Sequence, residues 1–286
     1  MKRALILTGG GARGSFQAGV WKYLSQIGWK PDIICGTSVG AINAAAIGSG
    51  MDANTLTHLW TTYNRRRMYK LNFLQFFAYL FSKRAIKPLL DTKPLKKMIQ
   101  DNLNFKALKN SKTEIIITAV NLITGHPEFF NQKEITLKHI LASSAMPILF
   151  PWQKINGEPY WDGGVMVNTP LAPALEFGAD EIIVVLLSPV GHKKISQPDN
   201  VLTAGEHVFE HFLAGSYHAN LRHYGFKKRE YLSTAENDST TKPRLFTLSP
   251  SKMLGFSSLL NFSRTQADQL IAEGYNTAQK QLENKL

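Results

Sequence analysis

The feature that most constrains this chain is a strand, a glycine-rich turn and a helix, which occur twice near its start. Residues 4–7 lead through Gly9-Gly10-Gly11 into a helix, and residues 32–35 lead through Gly36-Thr37-Ser38 into an alanine-rich helix over 39–48. Each such unit returns the chain to the start of another parallel strand. The sequence therefore predicts an α/β fold with a mostly parallel sheet covered by helices on both faces.

Later segments continue this alternation along the chain. Further strands are predicted over 114–120, 181–187 and 244–248, and helices over 137–145, 170–177, 201–223 and 264–282. Asn156-Gly157, between two short apolar stretches, predicts a β-hairpin. No linker divides the chain, so we predict a single domain over 1–286 with a cap-like helical insertion at about 60–112.

Composition excludes several classes of protein. The 286 residues are 44% hydrophobic and 19% charged, as in a packed globular domain rather than a disordered chain. Cys35 is the single cysteine, which excludes a disulfide framework and argues against a cysteine zinc site. No apolar run approaches the ~20 residues of a membrane span. The apolar stretch after Met1-Lys2-Arg3 is also too short for a signal peptide, so we expect a cytoplasmic protein.

The first glycine-rich turn, residues 9–14, has the composition of an anion or oxyanion cradle. Its glycines let backbone N–H groups point at a bound group, and a helix N-terminus follows. The same pattern matches a dinucleotide-binding fingerprint, but that motif needs an acidic residue at the end of the second strand. Here the second strand ends in Cys35-Gly36, which disfavours a nucleotide. A glycine turn needed only for tight packing is the structural alternative.

The second turn, Gly36-Thr37-Ser38-Val39-Gly40, is a G-x-S-x-G motif between a strand and a helix, as a nucleophile elbow requires. Ser38 is therefore a candidate nucleophile, and a helix-capping serine is the structural alternative. A nucleophilic serine needs a base. None of the eight histidines lies in a compact Gly/Asp loop, so a histidine triad is the less favoured arrangement. Asp162-Gly163-Gly164, after apolar Tyr160-Trp161, instead offers a carboxylate, although an Asp-Gly turn is a common structural feature.

The three motifs in this order resemble those of the patatin-like phospholipase family. The resemblance extends to residues 142–151 and to Asn168-Thr169-Pro170, and it covers roughly 3–190. One departure is Thr8, where plant patatins carry an Asp before the glycines.

The resemblance implies a three-layer α/β/α fold and lipid acyl hydrolysis by a Ser–Asp dyad, without metal or cofactor. Ser38 then matches the nucleophile, Asp162 the base, and Gly10, Gly11 and Arg13 the oxyanion-hole loop. The remaining motif glycines are Gly9, Gly14, Gly36, Gly40, Gly163 and Gly164. The expected substrate is a phospholipid or another fatty acyl ester.

Four alternatives remain open. The same dyad would serve a thioesterase or a neutral-lipid esterase, and an idle dyad would leave a lipid-binding protein. In addition, His207-Val208-Phe209-Glu210-His211 matches an inverted zinc-protease signature, although no clear third ligand follows.

The cap-like insertion is the most basic part of the chain. Residues 60–112 carry 13 basic and 2 acidic side chains, a net charge of 13 − 2 = +11, out of +12 for the whole chain. Arg65-Arg66-Arg67 and Lys83-Arg84 bracket the aromatic stretch 73–81. Since a lipid hydrolase must reach a membrane, we hypothesise that residues 60–84 dock on an anionic membrane surface. The alternatives are a core helix with solvated basic flanks and a nucleic-acid site, but no nucleic-acid motif accompanies the charge.

Overall fold

A computed structural model of the chain describes residues 1–63, 68–71, 88–191, 197–226 and 243–286. The strands described there are β1 (Arg3–Leu7), β2 (Ile33–Thr37), β3 (Lys70–Leu71), β4 (Leu90–Asp91), β5 (Glu114–Asn121), β6 (Pro127–Asn131), β7 (Gln153–Ile155), β8 (Glu158–Asp162), β9 (Glu181–Val185) and β10 (Arg244–Leu248). The helices are α1 (Ser15–Gln26), α2 (Val39–Gly48), α3 (Ala53–Thr62), α4 (Lys93–Asn102), α5 (Phe105–Lys109), α6 (Leu137–Ser143), α7 (Leu171–Glu176), α8 (Val201–His223) and α9 (Arg264–Leu282).

The main sheet has the order β10-β9-β1-β2-β5-β8-β7, and β6 pairs with β5. Strands β10, β9, β1, β2 and β5 are parallel, whereas β6, β7 and β8 run antiparallel to their neighbours. The predicted α/β class with a mostly parallel sheet is therefore confirmed. The predicted hairpin is also present, since Asn156 (φ 51°) and Gly157 (φ 93°) join β7 to β8 in the two-residue turn that favours such glycines.

Both faces of the sheet are covered, as a parallel sheet requires. In β1, Leu5 and Leu7 enter one apolar cluster with α1, α2 and α9, whereas Ala4 and Ile6 enter the other with α7 and α8. This alternation follows from the two-residue period of a strand. The result is a three-layer α/β/α arrangement.

Helix α9, near the end of the chain, packs directly on α1, near its start. A Cβ added at Gly19 of α1 would collide with the backbone of Ile271, and one added at Gly274 of α9 would collide with the backbone of Phe16. The two helices therefore meet backbone to backbone. The first and last helices consequently hold the same layer together.

The sheet's amino end is held by a buried carboxylate. Glu181 in β9 is fully buried and stands level with Arg3 on β1 and Arg244 on β10. Its carboxylate lies 3.3 Å from Arg3 Nε and 3.2 Å from Arg244 Nη1, and it accepts a hydrogen bond from Trp29 Nε1 at 2.9 Å. Three neighbouring strands are thereby joined at the edge of the sheet away from Ser38.

The predicted insertion at 60–112 is described only in part. Its described residues form β3, β4, α4 and α5, together with the end of α3. Arg65-Arg66-Arg67, the aromatic stretch 73–81 and Lys83-Arg84 lie outside the described residues. Within the described parts of the chain, no helix has the length and apolarity needed to cross a membrane.

Candidate active site

Ser38 lies in a strained turn between β2 and α2. Its backbone has φ 57° and ψ −126°, a region that non-glycine residues rarely occupy and that costs about 1–3 kcal/mol. The turn brings α2 so close to β1 that a Cβ added at Gly40 would collide with the backbone of Leu7 and Thr8. This strained conformation leaves Ser38 half-buried at the carboxyl edge of the sheet, as in a nucleophile elbow.

The end of α6 clamps this elbow. The N–H of Ser38 donates to the hydroxyl of Ser143 at 3.0 Å, and the hydroxyl of Ser144 donates to the carbonyl of Ser38 at 3.4 Å. The next carbonyl along the chain, that of Ala145, accepts the N–H of Asp162 at 3.0 Å. One short segment therefore holds the backbones of both the candidate nucleophile and the candidate base.

Sheet register brings Asp162 next to Ser38. Thr37, the last residue of β2, pairs with Thr118 of β5, and Asp162, the last residue of β8, pairs with Ala119. Strands β2 and β8 thus lie on opposite sides of β5, run in opposite directions, and end at adjacent positions along it. Two residues that are 124 positions apart, 162 − 38, become neighbours.

The carboxyl group of Asp162 is almost completely buried, with 1% of the residue exposed. Its Oδ1 accepts the N–H of Gly164 at 2.7 Å, whereas Oδ2 has no partner at full hydrogen-bond geometry among the described residues. Burial raises the pKa of Asp162 to about 7, although hydrogen bonding from the Ser38 hydroxyl and the Gly164 N–H acts in the opposite direction. A carboxylate with such a pKa is suited to accept a proton near neutral pH.

The glycine-rich turn passes directly beside Ser38. A Cβ added at Gly9 would lie 2.9 Å from the Cβ of Ser38. Gly10 has φ 155° and Gly11 has φ 59°, backbone conformations that favour glycine. In the described part of the chain, neither N–H donates to a protein acceptor. Two unbonded donors next to a candidate nucleophile are the arrangement that stabilises a tetrahedral oxyanion.

Arg13 is placed in the anchor of this turn rather than among its unbonded donors. The side chain is fully buried, and its Nη2 lies 2.7 Å from Oε1 of the buried Glu210 on α8. Its Nε donates to the hydroxyl of Ser258 at 2.7 Å, and further hydrogen bonds reach the carbonyls of Leu187 and Gly255. With its donors engaged in this way, the guanidinium fixes the turn, and the backbone N–H groups of Gly10 and Gly11 remain as candidate oxyanion donors.

The other predicted motif glycines stand in the same turns as the candidate residues. They are buried and comprise Gly9, Gly14, Gly36, Gly163 and Gly164.

An apolar groove begins at Gly11 and Ser38 and leads away from them. It encloses about 960 Å³ of empty space, a volume that includes open solvent at its mouth. Trp60 stacks on Phe262 in its wall, with ring centroids 6.2 Å apart. No charged side chain lines it among the described residues. The lining is made of Gly11, Ser38, Val39, Ile42, Asn43, Ala46, Met51, Leu56, Leu59, Trp60, Tyr63, Met68, Tyr69, Leu95, Met98, Ile99, Asn102, Leu103, Ile140, Ser144, Phe150 and Phe262.

The histidines stand elsewhere. None of those in the described residues lines the groove. His207 and His211 lie one turn apart on α8, and Nδ1 of His211 lies 2.6 Å from the carbonyl oxygen of His207. Over the described residues, no three His, Cys, Asp or Glu side chains are grouped so that they could hold a metal ion.

Sequence reasoning missed several residues that the site uses. Ser143 and Asn168 lay within the segments that carried the resemblance, so their positions were marked but their contacts were not. Glu210 was marked only as part of the zinc-protease signature, and nothing in the sequence linked it to Arg13, which is 197 positions away, 210 − 13. A buried arginine needs a carboxylate partner, but the sequence alone does not identify which carboxylate pairs with it.

A strained serine elbow, an adjacent buried carboxylate and a glycine turn with unbonded N–H groups are the parts that acyl transfer by a serine requires. A family model described as patatin-like phospholipase matches residues 5–175. The chain belongs to the patatin-like phospholipase family.

Curated relatives agree with this assignment. The chain is 31% identical over 234 residues to a cGAMP-activated phospholipase of Vibrio cholerae, which covers 71% of this chain and 64% of that protein. It is 28% identical over 185 residues to a protein of the same name from Pseudomonas aeruginosa, covering 58% of this chain and 53% of that one. The chain thus spans less than two thirds of the length of these relatives.

A solved structure shows the same fold. VipD from Legionella pneumophila superposes with a TM-score of 0.54 at 15% sequence identity, over 99% of this chain and 66% of that chain. At this identity the likeness supports the fold alone.

Proposed function

We propose that this protein is a serine lipid acyl hydrolase of the phospholipase A or lysophospholipase type. The observation that carries the proposal is the placement of Ser38, in its strained elbow, beside the buried carboxyl group of Asp162. The turn at Gly10 and Gly11 supplies the third part that acyl transfer needs, a pair of donors for the oxyanion. Membership of the patatin-like phospholipase family supports the same chemistry.

The reaction proceeds through an acyl-enzyme. Asp162 accepts the proton of the Ser38 hydroxyl as the oxygen attacks the ester carbonyl, and the negative charge on the carbonyl oxygen is held by the N–H groups of Gly10 and Gly11. The intermediate collapses, the carbon–oxygen bond to the leaving alcohol breaks, and the alcohol takes the proton from Asp162. Water then gives a proton to Asp162 and attacks the acyl-enzyme, so that fatty acid leaves and Ser38 regains its hydrogen.

The groove supports a fatty acyl chain as the acyl group. Its walls are apolar and it opens at Ser38, so a chain can lie along it while the ester carbonyl reaches the nucleophile. Among the described residues that line the groove, none is charged, so we place the phosphate headgroup outside it.

The test is a panel of purified lipids: diacyl phospholipids, lysophospholipids, triacylglycerol and an acyl thioester, with Ser38→Ala as the blank. Release of fatty acid from phospholipids supports the proposal, whereas preference for the thioester or for triacylglycerol would favour the esterase alternatives. No release from any lipid, with no labelling of Ser38 by a fluorophosphonate, would leave a lipid-binding protein. Because two relatives are named cGAMP-activated phospholipases, each reaction is run with and without cGAMP.

The rate should depend on pH through Asp162. Only the ionised carboxylate can accept a proton, and the pKa of Asp162 is raised to about 7 by burial. We therefore expect kcat/KM to fall about tenfold per pH unit below about pH 7 and to level off above it. The profile is measured with a short-chain ester whose own ionisation does not change. A profile already flat at pH 5 would contradict a base with a raised pKa.

We also propose that residues 60–84 dock on an anionic membrane surface, as their charge suggests. Arg65, Arg66 and Arg67 lie outside the described residues, and the proposal rests on the sequence alone. Changing all three to Glu should weaken co-sedimentation with anionic vesicles and reduce its dependence on salt. Hydrolysis of a soluble short-chain ester should persist. Unchanged vesicle binding, or equal loss of activity on the soluble ester, would return the segment to a structural role.

A further inference from the structure

A series of hydrogen bonds through buried side-chain amides connects the wall of the groove to the glycine turn. The indole N–H of Trp60 donates to Oδ1 of Asn43 at 3.1 Å, and Nδ2 of Asn43 donates to Oε1 of Gln17 at 2.8 Å. Nε2 of Gln17 then donates to the carbonyl of Thr8 at 2.8 Å. Thr8, Gln17 and Asn43 are each 1% exposed, so water does not compete for these bonds.

The donor and acceptor roles in this series of hydrogen bonds are fixed at both ends. An indole N–H can only donate, so Asn43 must present its oxygen to Trp60 and its nitrogen to Gln17. Gln17 must then present its own nitrogen to Thr8, whose carbonyl can only accept. No reversal of either amide satisfies all the groups. This series of hydrogen bonds therefore sets one orientation for the Thr8 carbonyl.

The Thr8–Gly9 peptide is held from both sides. Gln17 holds its carbonyl, and its N–H, that of Gly9, donates to Oδ1 of Asn168 at 3.0 Å. The next two N–H groups, those of Gly10 and Gly11, have no protein acceptor among the described residues. Beyond them the turn is held again, at Arg13. The two unbonded donors thus lie between two fixed points.

We propose that Gln17 is a positioning residue that aims the N–H groups of Gly10 and Gly11 at the oxyanion, with Asn43 and Trp60 holding Gln17 in place. The inference rests on the proposed acyl transfer at Ser38. Gln17 touches no substrate. It acts by preventing rotation of the peptide that leads into the turn, and donors fixed in advance are worth more to a transition state than donors that must be ordered during the reaction.

The principal variant is Gln17→Met, which keeps the length of the side chain and removes its hydrogen bonds. On a short-chain ester we expect kcat to fall about 10- to 100-fold with KM nearly unchanged, because a small displacement of the donors affects mainly the transition state. An alkyl trifluoromethyl ketone, whose adduct with Ser38 carries an oxyanion, should bind more weakly by the same factor. An ether analogue of the lipid, which forms no oxyanion, should bind as before.

Gln132→Met is the matched control. Gln132 is also a buried glutamine, accepting the N–H of Ile115 at 3.2 Å and donating to Glu114 at 3.0 Å, but it stands away from the glycine turn. Its loss should lower thermal stability and leave kcat intact. A comparable loss of kcat in both variants would reduce the role of Gln17 to general stability.

Gln17→Glu tests rescue by a conservative change. A protonated Glu side chain can donate to the Thr8 carbonyl, whereas an ionised one cannot. The kcat of this variant, divided by the kcat of the wild type at the same pH, should rise as the pH falls. The division cancels the effect of Asp162 titration, because both proteins contain Asp162. The ratio decides the matter if Gln17→Met does not fold: a ratio near one at every pH means that the buried Glu stays protonated and supports the proposal, whereas a flat ratio far below one would overturn it. Loss of activity in Ser38→Ala together with full activity in Gln17→Met would contradict this inference alone, whereas activity that survives Ser38→Ala would contradict the proposed function.

Discussion

Ser38→Ala is expected to fold normally and to lose ester hydrolysis by on the order of 10⁴-fold or more. Asp162→Asn should lose nearly as much, because its neutral amide cannot accept the serine proton. The double variant should be no slower than the worse single variant, since the two side chains act as one unit. Initial rates on a short-chain ester measure all three, and fluorophosphonate labelling should require both residues.

The free energy of unfolding provides an independent check on Asp162. The pKa of Asp162 is raised to about 7 by burial, above the value of an exposed carboxyl group, so the folded protein holds the proton more tightly than the unfolded chain does. Its contribution to stability is therefore greatest in acid and is lost as the pH rises through about 7. Asp162→Asn removes this loss, so it should be more stable than the wild type at pH 8 in urea denaturation. Its activity loss would then not be a folding defect.

Two outcomes would contradict the dyad. Near-full activity in Asp162→Asn, with loss on replacing a histidine, would indicate a triad. Loss of activity on chelation, restored by zinc, would instead favour His207 and His211 as metal ligands.

Gly10→Ala should lower kcat by about 10²–10³-fold, the cost of removing one oxyanion donor, with little change in KM. The added Cβ would lie 2.8 Å from the Cβ of Leu187, and the backbone of Gly10 has a φ of 155°, which side chains rarely adopt. The turn must therefore move, and the N–H moves with it. Steady-state kinetics on a soluble ester separate the two parameters.

Gly125→Ala is the control for backbone strain. Gly125 has a φ of 71° and nothing within 4 Å of an added Cβ, so the substitution adds strain without a collision. It should lower the free energy of unfolding by about 1 kcal/mol and leave kcat unchanged. If Gly10→Ala changed KM alone, or if the two variants lost kcat equally, the glycine turn would not be an oxyanion hole.

Much of the central fold could be predicted because its signals are local. The apolar runs of β1, β2, β5, β9 and β10 and the Asn156-Gly157 turn are complete within a few residues of sequence. Helix α3 was not predicted, although Asp52 caps it by accepting the N–H groups of Asn54 and Thr55. Helix α4 lies within the insertion that was predicted to be helical, but its bounds were not predicted, although Leu95, Met98 and Ile99 recur at helical spacing.

The candidate site divides in the same way. Ser38 could be found because a nucleophile elbow is encoded by five consecutive residues, and Asp162 because its glycines mark it. The contacts of Ser143 and Asn168 could not be read, since they depend on how distant segments pack. Arg13 shows the limit most clearly. Its position in the glycine turn suggested an oxyanion contact. Only the tertiary structure reveals that its guanidinium pairs with Glu210 and donates a hydrogen bond to Ser258.

The anchoring of Arg13 also bears on when a newly made chain can become active. The ribosome delivers Ser38 and the glycine turn early, but Glu210 and Ser258 come later than residue 175, where the family match ends. Until they arrive, the guanidinium has no buried carboxylate to pair with, and a buried unpaired charge is strongly destabilising. A nascent or truncated chain would therefore hold its nucleophile without an ordered turn beside it. Under the proposed function, a chain that ends at residue 175 should therefore not hydrolyse esters, although it contains both Ser38 and Asp162.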